Sequence, residues 1–116
     1  MKNMKKQFER TALLLGADGV EKLQRSRVAI FGVGGVGGYC AEALARAGVG
    51  ELFLVDKDVV DESNINRQIV ALHSTVGLPK AEVMRARIAD INPDCRVTAR
   101  VCFYDAETAA GFDFSA

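Results

Sequence analysis

The sequence predicts an α/β fold: a Rossmann-like parallel sheet with flanking helices, forming the N-terminal part of a larger domain. Three observations predict it. Apolar runs at "RVAIFG" (27–32), "LFLVD" (52–56) and "CRVTARVCF" (95–103) alternate with helical patterns, the order expected of parallel strands joined by right-handed crossovers. A glycine-rich stretch, "GVGGVG", lies between the first of those strands and the helix that follows. The end, "FDFSA", reads as the opening of another strand, so the chain is expected to be part of a longer protein.

The elements follow in order. Residues 4–14 and 18–25 each carry a short helical pattern, joined at "GADG", and residues 1–26 form a helical N-terminal segment. Residues 27–116 form the Rossmann-like half. "RVAIFG" has the composition of a buried parallel strand. From Gly35 to Ala47, Val36, Tyr39, Cys40, Ala43, Leu44 and Ala47 recur at three- and four-residue steps and make one apolar stripe. "AGVGE" ends that helix, and "LFLVD" is a second buried strand. "SNINRQIVAL" (63–72) opens with Ser63 as a helix cap and predicts a short helix or irregular segment. "VGLPKAEVMRARIADINP" predicts a third helix, with Pro79 in its first turn. In the third strand Val97, Ala99 and Val101 alternate with Arg96, Thr98 and Arg100, which predicts one exposed face.

Composition narrows the function. The 116 residues allow one small domain with a core, and the net charge of zero gives no bulk attraction to nucleic acid or lipid. Charge is uneven, however: residues 1–27 hold seven Lys/Arg against three acids, so a local basic face is expected. No apolar run approaches the ~20 residues of a bilayer span, and no apolar signal core follows the basic start. A cytoplasmic protein without a membrane partner is expected. Cys40, Cys95 and Cys102 form no CxxC pair, which gives no disulfide or zinc pattern. Cys40 is expected as a buried thiol in its helix. His73 has no recognisable acid–base partner and reads as structural or superficial.

Gly32, Gly34 and Gly37 give G-x-G-x-x-G between a strand and a helix. Gly32 permits the tight turn, Gly34 the approach of backbone to phosphate, and Gly37 close helix–strand packing. The helix N-terminus then offers free N–H groups to an anion. Asp56, 24 residues after Gly32, suits a ribose hydroxyl. These features fit NAD and ATP equally. The following segment is richer in polar chemistry: Asp58, Asn64, Asn66, Arg67 and Gln68 follow the second strand, and Lys80 opens the third helix. A forked guanidinium and a point-charge ammonium at that edge suit a triphosphate, whereas a hydride enzyme binds a diphosphate and needs no second cationic clamp.

Taken together, "RVAIFGVGGVGG…LFLVDKDVVDESNINRQ…VGLPKAEVMRARIADINP" resembles the adenylation domain of ubiquitin-activating-type enzymes and their bacterial ThiF/MoeB/HesA relatives. The resemblance spans Phe8 to Val101. Within it, "NRQIVAL…VGLPKAEVMRARIADINPDCRVT" is most similar to the branch that uses ATP to cyclise threonylcarbamoyladenosine in tRNA. The resemblance implies ATP and Mg²⁺ as cofactors. It implies that Gly32, Gly34, Gly35 and Gly37 line the phosphates, that Asp56 holds the ribose, and that Asp58 lies near the phosphates and metal. Asn64, Arg67 and Lys80 would contact the triphosphate, with Arg67 and Lys80 as catalytic cations. Arg10 matches an arginine that relatives insert into a partner subunit's site, which implies a homodimer. The family's metal-binding Asp lies downstream, so no metal ligand is identifiable in this chain. The implied activity is carboxylate adenylation, with tRNA as the substrate-bearing partner. Two alternatives remain: an adenylyltransferase for a ubiquitin-like sulfur-carrier protein, and an NAD-binding oxidoreductase or non-catalytic nucleotide-binding module.

Overall fold

The computed structural model describes residues 5–102. Strands β1 (Arg27–Phe31), β2 (Glu51–Val55) and β3 (Arg96–Arg100) form one parallel sheet in the order β1-β2-β3. Phe31 pairs with Val55 and Val55 with Arg100, so the three C-terminal ends finish level. Helices α2 (Gly35–Ala47) and α3 (Lys80–Ile91) make the two crossovers. Both crossovers step the same way across the sheet, and the two helices pack on each other over one face. The segment before β1 is α1 (Glu9–Gln24), broken at Gly16 where φ is 77°. That break matches the two helical pieces expected around "GADG".

The core lies between the sheet and the α2/α3 layer. Leu52 and Leu54 of β2 and Ile30 of β1 meet Ala41 and Ala45 of α2 and Met84 and Ile88 of α3. Burying a leucine completely contributes roughly 2 kcal/mol, and β2, the central strand, buries two of them.

Several expectations are corrected. β1 is not a buried strand: it is an edge strand among the described residues, with only Ile30 buried and Phe31 half exposed. The apolar stripe of α2 is not its buried face. Val36 is 85% and Tyr39 54% exposed, and Cys40 is exposed rather than buried. The inward face is Gly38, Ala41 and Ala45. A Cβ on Gly38 would stand 2.5 Å from the Val33 carbonyl oxygen. The helix runs so close to the neighbouring backbone that side-chain size, not hydrophobicity, selects the face. Asp61, not Ser63, caps the turn at Glu62–Asn64, accepting from the Ser63 N–H at 2.9 Å. Pro79 sits at the N-cap of α3 with extended backbone, one residue before its first turn. The alternation in β3 holds only in part: Arg96 and Arg100 are exposed and Val97 and Ala99 pack on the core, but Thr98 is half-buried and Val101, past the end of the strand, is about half exposed. His73 is exposed. Cys95 is buried, and that burial pushes its thiol up from the usual value. The last residue of the third predicted strand, Phe103, and the strand-like "FDFSA" lie outside the described residues.

Candidate functional site

The level C-terminal ends of the strands border a cavity of about 320 Å³, lined by Gly32, Asp56, Asp58 and Cys102 among others. This is the edge at which open α/β sheets take their ligands. A larger groove of about 590 Å³ runs between α3 and residues 69–79. Its lining is mostly apolar and includes none of the predicted site residues, so the smaller cavity is the candidate site.

Gly32 is the one residue of the glycine loop that lines this cavity; Gly34, Gly35, Gly37, Asn64, Arg67 and Lys80 are not among its lining residues. The Gly32 N–H donates to the Val55 carbonyl at 2.7 Å, which ties the loop to β2. Gly32 and Gly35 have φ of 88° and 52°, a region that side chains with a Cβ rarely occupy. At Gly37 a Cβ would stand 1.6 Å from the Gly32 carbonyl oxygen, so any larger residue breaks the turn. No side chain caps the first N–H groups of α2, and they remain available to an anion. At Gly34 a Cβ would stand 2.9 Å from Gln68 Oε1. The clearance there thus accommodates a neighbouring amide, a contact that spacing alone does not reveal.

Asp56 also lines the cavity. Its Oδ2 accepts from the Val33 N–H at 2.9 Å and its Oδ1 from the Asp58 N–H at 2.8 Å. One carboxylate therefore fixes both the glycine loop and the loop after β2. Each oxygen retains a further lone pair for a ligand hydroxyl. Asp58 pairs with Lys57 at 2.9 Å, and that contact above all holds its carboxyl below the usual value, with a smaller contribution from Lys80. Asp61 is lowered likewise, first by the Ser63 hydroxyl and also by the charge of Lys80.

Lys80 comes to this edge through backbone. Its N–H donates to the Asp58 carbonyl at 3.0 Å, and the Val60 N–H donates to Leu78 at 2.8 Å. These bonds fold residues 58–80 into a closed excursion and set the start of α3 beside Asp58. The residue is 7% exposed. Among the described residues its ammonium makes no ion pair and no side-chain hydrogen bond. The ammonium itself is not sealed in, since among the described residues Gln68 Oε1 is the one buried side-chain nitrogen or oxygen without a partner; a packed stem ending in an unpaired ammonium at the ligand edge is placed to meet an anion.

Asn64 is buried, and its Oδ1 accepts from the Asp61 N–H at 2.9 Å. Arg67 is exposed. Its Nη1 donates to the Ser63 carbonyl at 3.2 Å and to Asn66 Oδ1 at 2.8 Å, so the guanidinium rests on its own turn. Arg10 is exposed on α1, away from the cavity lining. Among the described residues, no three His, Cys, Asp or Glu side chains gather to hold a metal. Sequence reasoning missed Cys102 as a contributor, and it named Gln68 among the polar residues after the second strand without assigning it a contact. Cys102 lines the cavity, a position that follows from its place two residues beyond β3. Gln68 lies against the glycine loop, and nothing in the spacing indicates that contact.

A family model described as the ThiF family matches residues 8–114. The chain belongs to the ThiF family. Its relatives in that family include the tRNA threonylcarbamoyladenosine dehydratase of Bacillus subtilis, 58% identical over 91% of this chain and 42% of that protein. The molybdopterin-synthase adenylyltransferase of Escherichia coli is 43% identical over 89% of the chain and 43% of its own length. Among solved structures, the E. coli tRNA N6-threonylcarbamoyladenosine dehydratase in complex with ATP matches with a TM-score of 0.88 and 45% identity, over 91% of this chain and 44% of that one. A second structure of the same ThiF-family protein contains AMP. The chain thus spans less than half the length of these relatives. The Rossmann-like sheet and the family resemblance read from the sequence are both borne out.

Proposed function

We propose that this chain supplies the ATP-binding portion of an enzyme that activates a carboxylate by adenylation, and that the carboxylate belongs to threonylcarbamoyladenosine in tRNA. The observation that carries the reading is Lys80: a residue packed beside Asp58 at the ligand edge of the sheet, whose ammonium makes no ion pair among the described residues. The similarity to a dehydratase solved with ATP and with AMP supports it. The nicotinamide alternative gains no such support.

The residues fit the nucleotide. Gly32, Gly34, Gly35 and Gly37 form a cradle at an uncapped helix N-terminus, which holds phosphate oxygens. Asp56 keeps a lone pair on each oxygen for the ribose. Asn64, Arg67 and Lys80 meet the triphosphate. In adenylation a carboxylate oxygen attacks the α-phosphorus of ATP, the bond between the α-phosphorus and the β,γ-unit breaks, the adenylyl group passes to the carboxylate and pyrophosphate leaves. The protein's part is to position the groups and to neutralise charge. Lys80 is pre-placed for this, since no described carboxylate must first release it. Arg67 must leave the Ser63 carbonyl to reach a phosphate. In the dehydratase reading, an intramolecular attack on the activated carbonyl then closes the ring and expels AMP, with net loss of one water.

The remaining expectations complete the proposal. Residues 1–26 act as a helical N-terminal segment, and residues 27–116 as the Rossmann-like half of the adenylation domain. Arg10 reaches the site of a second copy in a homodimer, and the enzyme works in the cytoplasm. Mg²⁺ would be held mainly by the phosphates, with Asp58 near them. The described residues supply no self-contained metal site, and no step is assigned to the ion. A sulfur-carrier adenylyltransferase is the second reading, favoured by the similarity to molybdopterin-synthase adenylyltransferase.

The chain by itself is not expected to be active, so the test is calorimetry on the chain with ATP–Mg²⁺ and with NAD, followed by incubation of the enzyme of which it is a portion with threonylcarbamoyl-modified tRNA and ATP. Binding of ATP alone and ATP-dependent cyclisation are expected. Binding of NAD in preference to ATP overturns the adenylation reading. ATP binding without cyclisation, but with adenylation of a carrier protein's C-terminus, transfers the activity to the second reading.

A further inference from the structure

We propose that Gln68 is a positioning residue that joins the glycine loop to the turn carrying Asn64 and Arg67 when nucleotide binds; the proposal rests on the ATP reading above. Two independent observations carry it. Gln68 Oε1 is the one buried side-chain nitrogen or oxygen without a hydrogen-bond partner among the described residues. The amide also lies against the loop backbone: a Cβ on Gly34 would stand 2.9 Å from Oε1 and 3.1 Å from both Cδ and Nε2. These near-equal separations set the flat face of the amide towards Gly34.

The other end of the strut is fixed by backbone. The Gln68 N–H donates to the Asn64 carbonyl at 2.9 Å, and the Arg67 N–H donates to the same oxygen at 3.1 Å. The Ala71 N–H returns to the Gln68 carbonyl at 3.0 Å. Gln68 is therefore held in the Asn64–Arg67 turn while its side chain touches the phosphate loop. The three heavy atoms nearest that Gly34 position all belong to this amide.

The chemistry explains why an amide stands there. An apolar chain of the same length would fill the space without leaving an acceptor unpaired, and a buried acceptor without a donor destabilises the free chain. The amide is favoured only in a state that brings Oε1 a donor. Phosphate oxygens accept and do not donate, so the donor is a water held by the bound phosphates. Gln68 then fixes the spacing between the glycine loop and the Arg67 turn, and so the point at which the guanidinium meets the triphosphate. It touches neither the nucleotide nor the reacting atoms.

The role has a signature that simple packing lacks. Gln68→Met keeps the length and removes both polar atoms. In the full chain it is expected to leave the ligand-free melting temperature unchanged or higher, while calorimetry reads ATP–Mg²⁺ affinity about tenfold weaker, the size of one good polar interaction. Gly34→Ala, which pushes on the same amide, is expected to weaken ATP–Mg²⁺ and to be non-additive with Gln68→Ala in a double-mutant cycle. Unchanged ATP affinity in Gln68→Met, with binding intact in the wild type, overturns the role of Gln68 and leaves the ATP reading standing. A ligand-free melting temperature that falls along with affinity reduces Gln68 to packing and also overturns the role. Should Gln68→Met fail to fold, the cycle decides: additive losses overturn the proposal. A wild-type chain that binds no ATP overturns the ATP reading and this inference together.

Discussion

The two ends of the sheet are built on opposite plans. At the N-terminal edge, polar groups are closed by protein. Glu51 takes Arg27 at 3.0 Å and Arg96 at 3.3 Å, which links all three strands. The Gly50 N–H reaches Leu23, the Arg96 N–H reaches Gly50, and the buried Asn92 donates to the Ala45 carbonyl at 3.1 Å. At the C-terminal edge, Lys80 is buried with no ion pair among the described residues, Gln68 Oε1 has no donor, and the start of α2 has no side-chain cap. One edge completes its bonds within the fold. The other keeps cations, donors and an acceptor in reserve, and carries that cost as reduced stability. The comparison separates residues that hold the sheet from residues that await a ligand without reference to any known relative.

The comparison breaks if substitutions at the two edges have the same signature. The largest effect is expected for Gly50→Ala, whose Cβ would meet the Gln24 carbonyl oxygen at 1.8 Å. Overpacking against backbone should cost about 3 kcal/mol, read as a lower midpoint in urea. ATP affinity of the folded fraction should be unchanged, and a parallel loss of affinity would mean that the edges are coupled. Lys80→Met should do the reverse. Met keeps the packed stem and removes only the ammonium, so the urea midpoint should stay about equal, while ATP–pyrophosphate exchange should fall by about 100-fold. Exchange at the wild-type rate would remove Lys80 from the site.

The smallest effect sharpens the baseline, because Glu42 belongs to neither edge. It bridges α2 to α3 between Arg46 and Arg87. The Arg87 hydrogen bond above all holds its carboxyl below the ordinary 4.5, with burial opposing. A carboxyl lowered by folding contributes stability that is present above its unfolded value and lost as pH falls through its folded value. Glu42→Gln should therefore flatten the acid limb of a melting-temperature profile below about pH 4.5, lower the neutral melting temperature slightly, and leave nucleotide affinity alone. An unchanged acid limb would show that the bridge makes no net contribution to folding.

Much of the fold was legible because strand and helix periods differ and because glycine marks turns. The three strands, the break at Gly16 and the start of α3 follow from those patterns. The buried face of α2 was not legible. Periodicity weights Val36 and Tyr39 by their hydrophobicity, whereas the buried face is made of the small residues Gly38, Ala41 and Ala45, with Gly38 held too close to the Val33 carbonyl for any side chain. The burial of β1 was overread for a related reason: composition cannot tell an edge strand from a central one. At the site, Gly32, Asp56, Asp58 and Lys80 were named from their order along the chain, and the structure gathers them at one edge. Gln68 stayed hidden because its importance lies in a contact across 34 residues of sequence with a glycine that has no side chain to signal it.

The double hold of Asp56 on Val33 and Asp58 has an engineering consequence. The two loops form a single bracket hinged on one carboxylate, so nucleotide preference cannot be retuned at that acid in isolation. Exchanging Asp56 for a neutral or basic residue, the usual way to change which ribose a Rossmann-type site accepts, also releases the Val33 and Asp58 N–H groups and slackens the phosphate cradle. A redesign of this chain has to supply a new acceptor for both before it can profit from a new ribose contact.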